Sequence, residues 1–154
     1  HIKRLPYKAI SFATINQPNN AFKLALKHLK HSSLVGIRDI TEGHDATRLL
    51  NPHCLDNLRH LCHLKLHFEA QFEIENLNIP EQLISYANQL SDLQIIFNHA
   101  GLAHNLANWQ RAIELLAQQP NVAMKFSGFE LLMLNSEQQR QCLTHILKHF
   151  GMQR

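Results

Sequence analysis

The 154-residue sequence lacks both glycine patterns that cradle nucleotide phosphates: neither GxGxxG nor GxxxxGK[ST] occurs. Its three cysteines, Cys54, Cys62 and Cys142, are odd in number and have no CxxC spacing. That excludes a disulfide framework and a zinc knuckle, and leaves buried or partly buried thiols of a reducing compartment. No apolar run approaches the roughly 20 residues of a membrane span. The opening HIKRLPYKAISF has no long apolar stretch of the signal-peptide kind, so a cytoplasmic location is expected. Charge of one sign is not concentrated either. The formal charge of +3 is small and the lysines and arginines are scattered, so neither nucleic acid nor a membrane is expected as a partner. No linker or low-complexity tract interrupts 1–154, which reads as a single domain long enough to bury a core.

What the sequence does contain is one pattern repeated five times. Strand-like apolar runs occur at Ala9–Ile15, Leu34–Ile40, Leu66–Phe72, Leu93–Asn98 and Val122–Ser127. Segments of helical period separate them, with apolar faces at Ala21, Leu24, Ala25 and Leu29, at Leu55, Leu58, Leu61 and Cys62, and at Leu83, Ile84, Ala87 and Leu90. Trp109, Ala112, Ile113 and Leu116 form the next face; Cys142, Leu143, Ile146, Leu147 and Phe150 form the last. Asn20, Pro52, Pro80 and Ser136 stand where helices should start, as caps or first-turn residues. This order predicts an α/β fold with a parallel sheet and right-handed crossovers. Five βα units fit part of a (β/α)8 TIM barrel, whose full length is about 250 residues, or alternatively a five-stranded doubly wound sheet.

In either architecture ligands bind at the carboxyl ends of the strands. The tips carry Arg38, Glu69 with Gln71, His99 and the pair Ser127-Gly128. A period of two puts Gly36, Arg38 and Ile40 on one face, His67, Glu69 and Gln71 on one face, and Ile95, Phe97 and His99 on one face. If those faces turn inward, an arginine, a carboxylate, an amide and an imidazole share one mouth. That combination suits an anionic small-molecule substrate and proton transfer near neutral pH. Arg38 reads equally as an anion holder or as the ion-pair partner of Glu69. Glu69 and Gln71 read as mutual hydrogen-bond partners, and Lys125 as structural. Ser127 lacks the GxSxG elbow of a nucleophile. His28 with His31, and His60 with His63, stand at i,i+3 without a third ligand and read as solvated surface.

The strings VGIRDI, LHFEAQF, IIFNHAG, the following Trp109 and PNVAMKFSGFELL resemble the later part of the amidohydrolase-related, lactonase-like branch of the amidohydrolase superfamily. Gly36-Ile37-Arg38, Phe68-Glu69-Ala70-Gln71, His99-Ala100-Gly101, and Asn121-Val122 through Lys125-Phe126-Ser127-Gly128 carry the likeness, in order and at about 30-residue intervals, as a βα repeat requires. The resemblance implies strands three to seven of an eight-stranded barrel. A preceding strand would bear an HxH pair and a following strand an aspartate or its replacement. Phe150-Gly151-Met152-Gln153-Arg154 matches the lead-in to that last strand. It also implies a metal-assisted or metal-independent hydrolase of a small carboxylated cyclic ester. There His99 polarises the carbonyl or assists proton transfer, while Arg38, Glu69, Gln71 and Ser127 line the substrate. A divalent metal such as zinc belongs to the complete protein, and no metal ligand is assigned in this chain. The loop Leu102-Ala103-His104-Asn105 lacks an expected proline, and Glu130 stands where some relatives carry a basic residue. An incomplete barrel exposes strand edges, so oligomerisation or missing barrel segments are expected. The alternative is a non-catalytic truncated family member or a small βα binding module.

Overall fold

A computed structural model of the chain describes residues 7–102, 104–128 and 134–154; Ala103 and Glu130 lie outside the described residues. Five strands form one parallel sheet in the order of the sequence: β1 (Ala9–Phe12), β2 (Leu34–Ile40), β3 (His67–Gln71), β4 (Ile95–Phe97) and β5 (Val122–Met124). The order never reverses, so there is no switch point of the doubly wound kind. The molecule is part of a (β/α)8 barrel. Helices α1 (Asn19–Leu29), α2 (His53–His63), α3 (Asn78–Gln89) and α4 (Leu106–Leu116) connect the strands, and α5 (Ser136–Phe150) follows the last. Apart from β2, which matches its run Leu34–Ile40, the strands are shorter than the apolar runs that announce them. Hydrogen-bonded pairing ends where the chain turns out of the sheet, so Asn98 and Phe126 belong to the loops.

One face of the sheet carries the core. Ile37, Phe68, Ala70, Ile95, Phe97 and Val122 are buried and join Leu58, Leu61, Leu83, Trp109 and Ile113 of the helices in one apolar cluster. Each of the larger side chains contributes about 1.5–3 kcal/mol by leaving water. The face of α1 is not the expected one. Phe22 and Leu26 are buried, whereas Ala21 is exposed and Leu24 projects into solvent. The large Phe22 ring, with Leu26 one turn on, takes the place beside the sheet and rotates the helix accordingly. Leu147 of α5 is likewise exposed.

The helix starts follow local chemistry. Pro52 stands at the N-cap position of α2 without a capping hydrogen bond, and Pro80 sits in the first turn of α3, where its missing N–H costs nothing. Asn135, rather than Ser136, caps α5: its side chain accepts from the Gln138 N–H while the Gln138 side chain accepts from the Asn135 N–H. A 3-10 helix at Gly43–Leu50, unannounced by any apolar period, lies between β2 and α2.

Candidate active site

Register places the tip residues. Arg38 pairs with Glu69 and Gly36 with His67 across β2 and β3, so all four side-chain positions lie on the face away from the helices. Gly36 makes room for the His67 ring, which lies over it: a Cβ would come 2.2 Å from the ring. Arg38 donates from Nε and Nη2 to Oε2 of Glu69 at 2.9 and 2.7 Å. Lys125, just beyond β5, ion-pairs with Oε1, and Asn98 Nδ2 donates to Oε2 at 3.2 Å. Glu69 is fully buried, whereas Arg38 and Lys125 stay about one-third exposed. Burial pushes the Glu69 carboxyl up, but the hydrogen bonds from Lys125, Arg38 and Asn98 overcome it and hold the pKa down at about 2. His67 Nε2 lies 3.4 Å from Glu69 Oε1; its burial lowers the imidazole pKa against the pull of that carboxylate.

Two expected arrangements are corrected. Ile95 and Phe97 pair with Phe68 and Ala70 and face the helices, so they do not share the open face with Arg38. The residues of that segment on the open face are Ile96, paired with Glu69, and Asn98. The signal was present in the sequence: Phe68 and Ala70 on β3 and Ile95 and Phe97 on β4 are the apolar parity, which leaves Asn98 on the other. Gln71 is not the partner of Glu69. Successive residues of one face of a strand stand roughly 6.6 Å apart, and Gln71 Nε2 donates instead to Glu42 Oε1 at 2.7 Å.

His99 reaches the strand edge by another route than strand alternation. The chain turns left-handed immediately after β4, with φ of 51° at His99, 50° at Ala100, 71° at Gly101 and 50° at Leu102. Each non-glycine residue held there costs of order 1–2 kcal/mol, and surrounding contacts secure it. Ala100 N–H donates to the Lys125 carbonyl at 2.9 Å, and the indole N–H of the fully buried Trp109 donates to the Ala100 carbonyl at 2.7 Å. Gly101 has no room for a side chain, since a Cβ would meet Ile74 at 2.6 Å. The turn swings the half-buried His99 against the segment leaving β5. Gly128 (φ 81°) admits it, because a Cβ there would lie 2.6 Å from His99 Cβ. Ser127 Oγ is 3.2 Å from His99 Nδ1. The histidine, both glycines, the serine and Trp109 therefore form one construction.

Two buried polar residues hold loops at opposite edges of the sheet, Asp39 at the carboxyl edge and Asn121 at the amino edge. Asp39, on the helix side of β2, accepts from the Ile15 N–H at 2.8 Å and from Arg48 Nη2 at 3.1 Å. Its pKa is raised, because burial outweighs the Ile15 and Arg48 contacts. Asn121 reaches the carbonyls of Ala87, Leu90 and Leu93 at 3.0–3.1 Å and ties the end of α3 to the start of β5.

The sequence family model described as Amidohydrolase matches residues 6–154. The chain belongs to this amidohydrolase family. An uncharacterized protein, y4mH, of Sinorhizobium fredii is 27% identical over 164 residues, covering 97% of this chain and 54% of that protein. Among solved structures, a zinc-bound amidohydrolase from Burkholderia multivorans superposes with a TM-score of 0.76 at 21% identity, over 96% of this chain and 56% of the other. A putative 2-pyrone-4,6-dicarboxylic acid hydrolase from Pseudomonas putida gives 0.67 at 18% identity, over 96% and 55%. A probable hydrolase of the same acid from Acinetobacter baumannii, solved with citric acid bound, gives 0.61 at 22% identity, over 94% and 53%. The amidohydrolase chain described here thus spans about half the length of these relatives.

The strand-tip residues do not make a zinc-type site. Four donors are needed, or three with an open position. Both Glu69 oxygens are held by cationic or amide donors, and His99 Nδ1 faces Ser127. Among the described residues the open face offers His99 and, beside the already engaged Glu69, His67, and these do not amount to a ligand set.

Proposed function

We propose that this chain supplies the later half of the active site of a lactonase-like hydrolase acting on a small carboxylated cyclic ester. The observation that carries the reading is His99 itself, an imidazole held at the carboxyl edge by a left-handed turn in which His99, Ala100 and Leu102, none of them glycine, take positive φ. Two structural neighbours named for 2-pyrone-4,6-dicarboxylic acid, a carboxylated cyclic ester, support the substrate class, and citric acid bound to one of them supports a polycarboxylate preference.

In this reading His99 hydrogen-bonds to the scissile carbonyl or carries a proton to or from it, through the ring edge not facing Ser127. Ser127 orients the imidazole. Arg38 spends its Nε and Nη2 on Glu69 and presents Nη1 to a substrate carboxylate. Glu69 is a positioning residue, fixing Arg38 and Lys125 at one mouth, and Gln71 lines the outer rim. Water activation falls to groups outside this chain's strand tips.

The test is steady-state kinetics of the protein on a panel of sugar and dicarboxylate lactones, with denaturant melts in parallel. Asparagine tolerates the left-handed region and keeps a hydrogen-bonding group, so His99→Asn should leave stability nearly unchanged. It should lower turnover by on the order of 10²–10⁴. Arg38→Lys should raise KM more than it lowers kcat, because the fork is lost while the charge remains. Wild-type turnover in His99→Asn, on an active enzyme, removes His99 from the chemistry.

A further inference from the structure

Away from the strand tips, on the outer wall, α4 and α5 bring three metal-type donors together. Ligand atoms of Glu114 on α4 and of His145 and His149 on α5 all lie within 4.8 Å of one another, and all three residues are half-buried. His145 and His149 are one turn apart on the same helix face, with ring centroids 4.6 Å apart. Glu114 reaches across from the neighbouring helix: Oε1 is 3.8 Å from His145 Nε2, while Oε2 lies 3.5 Å from Arg111. His149 Nε2 is buried without a hydrogen-bond partner. An orphaned ring nitrogen costs free energy that a bound cation would recover. On the inner side the buried Trp109 ring stands 5.9 Å from that of His145 and keeps water out.

We propose that Glu114, His145 and His149 form a divalent metal site of the zinc type that pins α5 onto α4, separate from the strand-tip site. Two borderline imidazole nitrogens and one carboxylate oxygen are a donor set that zinc takes, and they leave a fourth position for water. A tetrahedral ion with bonds of about 2.0–2.2 Å holds its ligand atoms roughly 3.3 Å apart, so the three side chains close in modestly on binding. His145 Nε2 now donates to the Gln110 carbonyl at 3.1 Å. Where that nitrogen becomes the ligand, its proton moves through solvent to Nδ1, so the imidazole stays neutral, and the Gln110 contact is given up. The i,i+3 histidine pairs 28/31 and 60/63 belong to no such three-donor set among the described residues.

The experiment titrates the purified protein with Co²⁺, following visible absorption and the fluorescence of Trp109, the only tryptophan; Zn²⁺ is then added as competitor. One Co²⁺ per chain with a tetrahedral spectrum, fluorescence quenching and displacement by Zn²⁺ are expected. Glu114→Gln and His149→Gln should each weaken binding at least about tenfold and abolish the rise in Tm that Zn²⁺ gives the unaltered chain. Melts without metal check that the variants fold, and Glu114→Gln preserves side-chain shape. His60→Gln with His63→Gln should bind as the unaltered protein does. Absence of saturable binding overturns the proposal. So does affinity in Glu114→Gln and His149→Gln unchanged from that of the unaltered protein.

Discussion

Arg38 and Asp39 are neighbours in β2, yet they enter opposite worlds. Arg38 lies on the open face, where it and Lys125 bring cationic groups to the buried Glu69, whose pKa falls to about 2. Asp39 lies on the helix face, where burial outweighs its contacts with the Ile15 N–H and Arg48, and its pKa rises. Each carboxylate is fully buried. What separates them is the supply of donors: three side chains converge on Glu69, two of them charged, against one charged donor and one backbone N–H at Asp39. Burial alone thus does not set the character of a carboxylate. The open face invests in a charge network at the strand tips, and the helix face invests in apolar packing.

The sharpest test of that difference is a pair of phenylalanines. Phe68→Ala, on the helix face, should cost about 3–5 kcal/mol by leaving a cavity in a packed core. Phe12→Ser, on the open face and 53% exposed, should cost no more than about 0.5 kcal/mol in urea melts. A comparable loss for both would break the comparison. It would mean that the open face is covered in solution by a second copy or a further segment.

Next in size is Glu69→Gln, which leaves Arg38 and Lys125 without their counter-charge at about 2 kcal/mol near neutrality. Its pH dependence has a definite sign. A carboxylate whose folded pKa is depressed contributes stability that is complete above the unfolded value of about 4.5 and is lost as pH falls toward about 2. Melts at several pH values should therefore show wild type and Glu69→Gln converging across that window. A constant gap between them would refute the ionised network.

The smaller effect of the two carboxylate substitutions is that of Asp39→Asn, about 1 kcal/mol, since the amide oxygen still accepts from Ile15. Here the sign reverses. A carboxyl whose folded pKa is raised loses stability as pH climbs from the unfolded value of 3.8 through the folded one. Removing the titrating group should flatten that decline, so the gap between wild type and variant should change with pH in the direction opposite to Glu69→Gln. Parallel profiles for the two variants would erase the distinction between the faces.

Much of the fold was legible in the sequence because it is written in local periods. The five apolar runs and the helical faces of α2, α3 and α4 depend on which residues seek burial along one element. The face of α1 was misjudged because Leu24 and Phe22 compete, and only the neighbouring α2 and sheet decide between them. At the site, the tip residues Arg38, Glu69 and His99 were visible as isolated polar residues ending apolar runs. Asn98 was hidden because parity was counted through His99, as if the strand continued straight, when the chain had already turned left-handed. The 3-10 segment at Gly43–Leu50 had no period to betray it, being shaped by contacts such as Arg48 with Asp39 and the Ile40 carbonyl.

By itself the sequence determined the βα repetition, the apolar alternation of Phe68, Ala70, Ile95 and Phe97, and a turn at Gly101. These follow from short-range sterics and the hydrophobic effect, which act on every chain of this pattern. Tertiary structure alone decided that Glu69 would meet Arg38, Lys125 and Asn98, which lie 31, 56 and 29 residues away along the chain. It alone set Trp109 under the Ala100 carbonyl, and Glu114 beside His145 and His149. Directional hydrogen bonds and ion pairs require a register between strands and a docking angle between helices. Those are properties of the closed core, and no local stretch of sequence carries them.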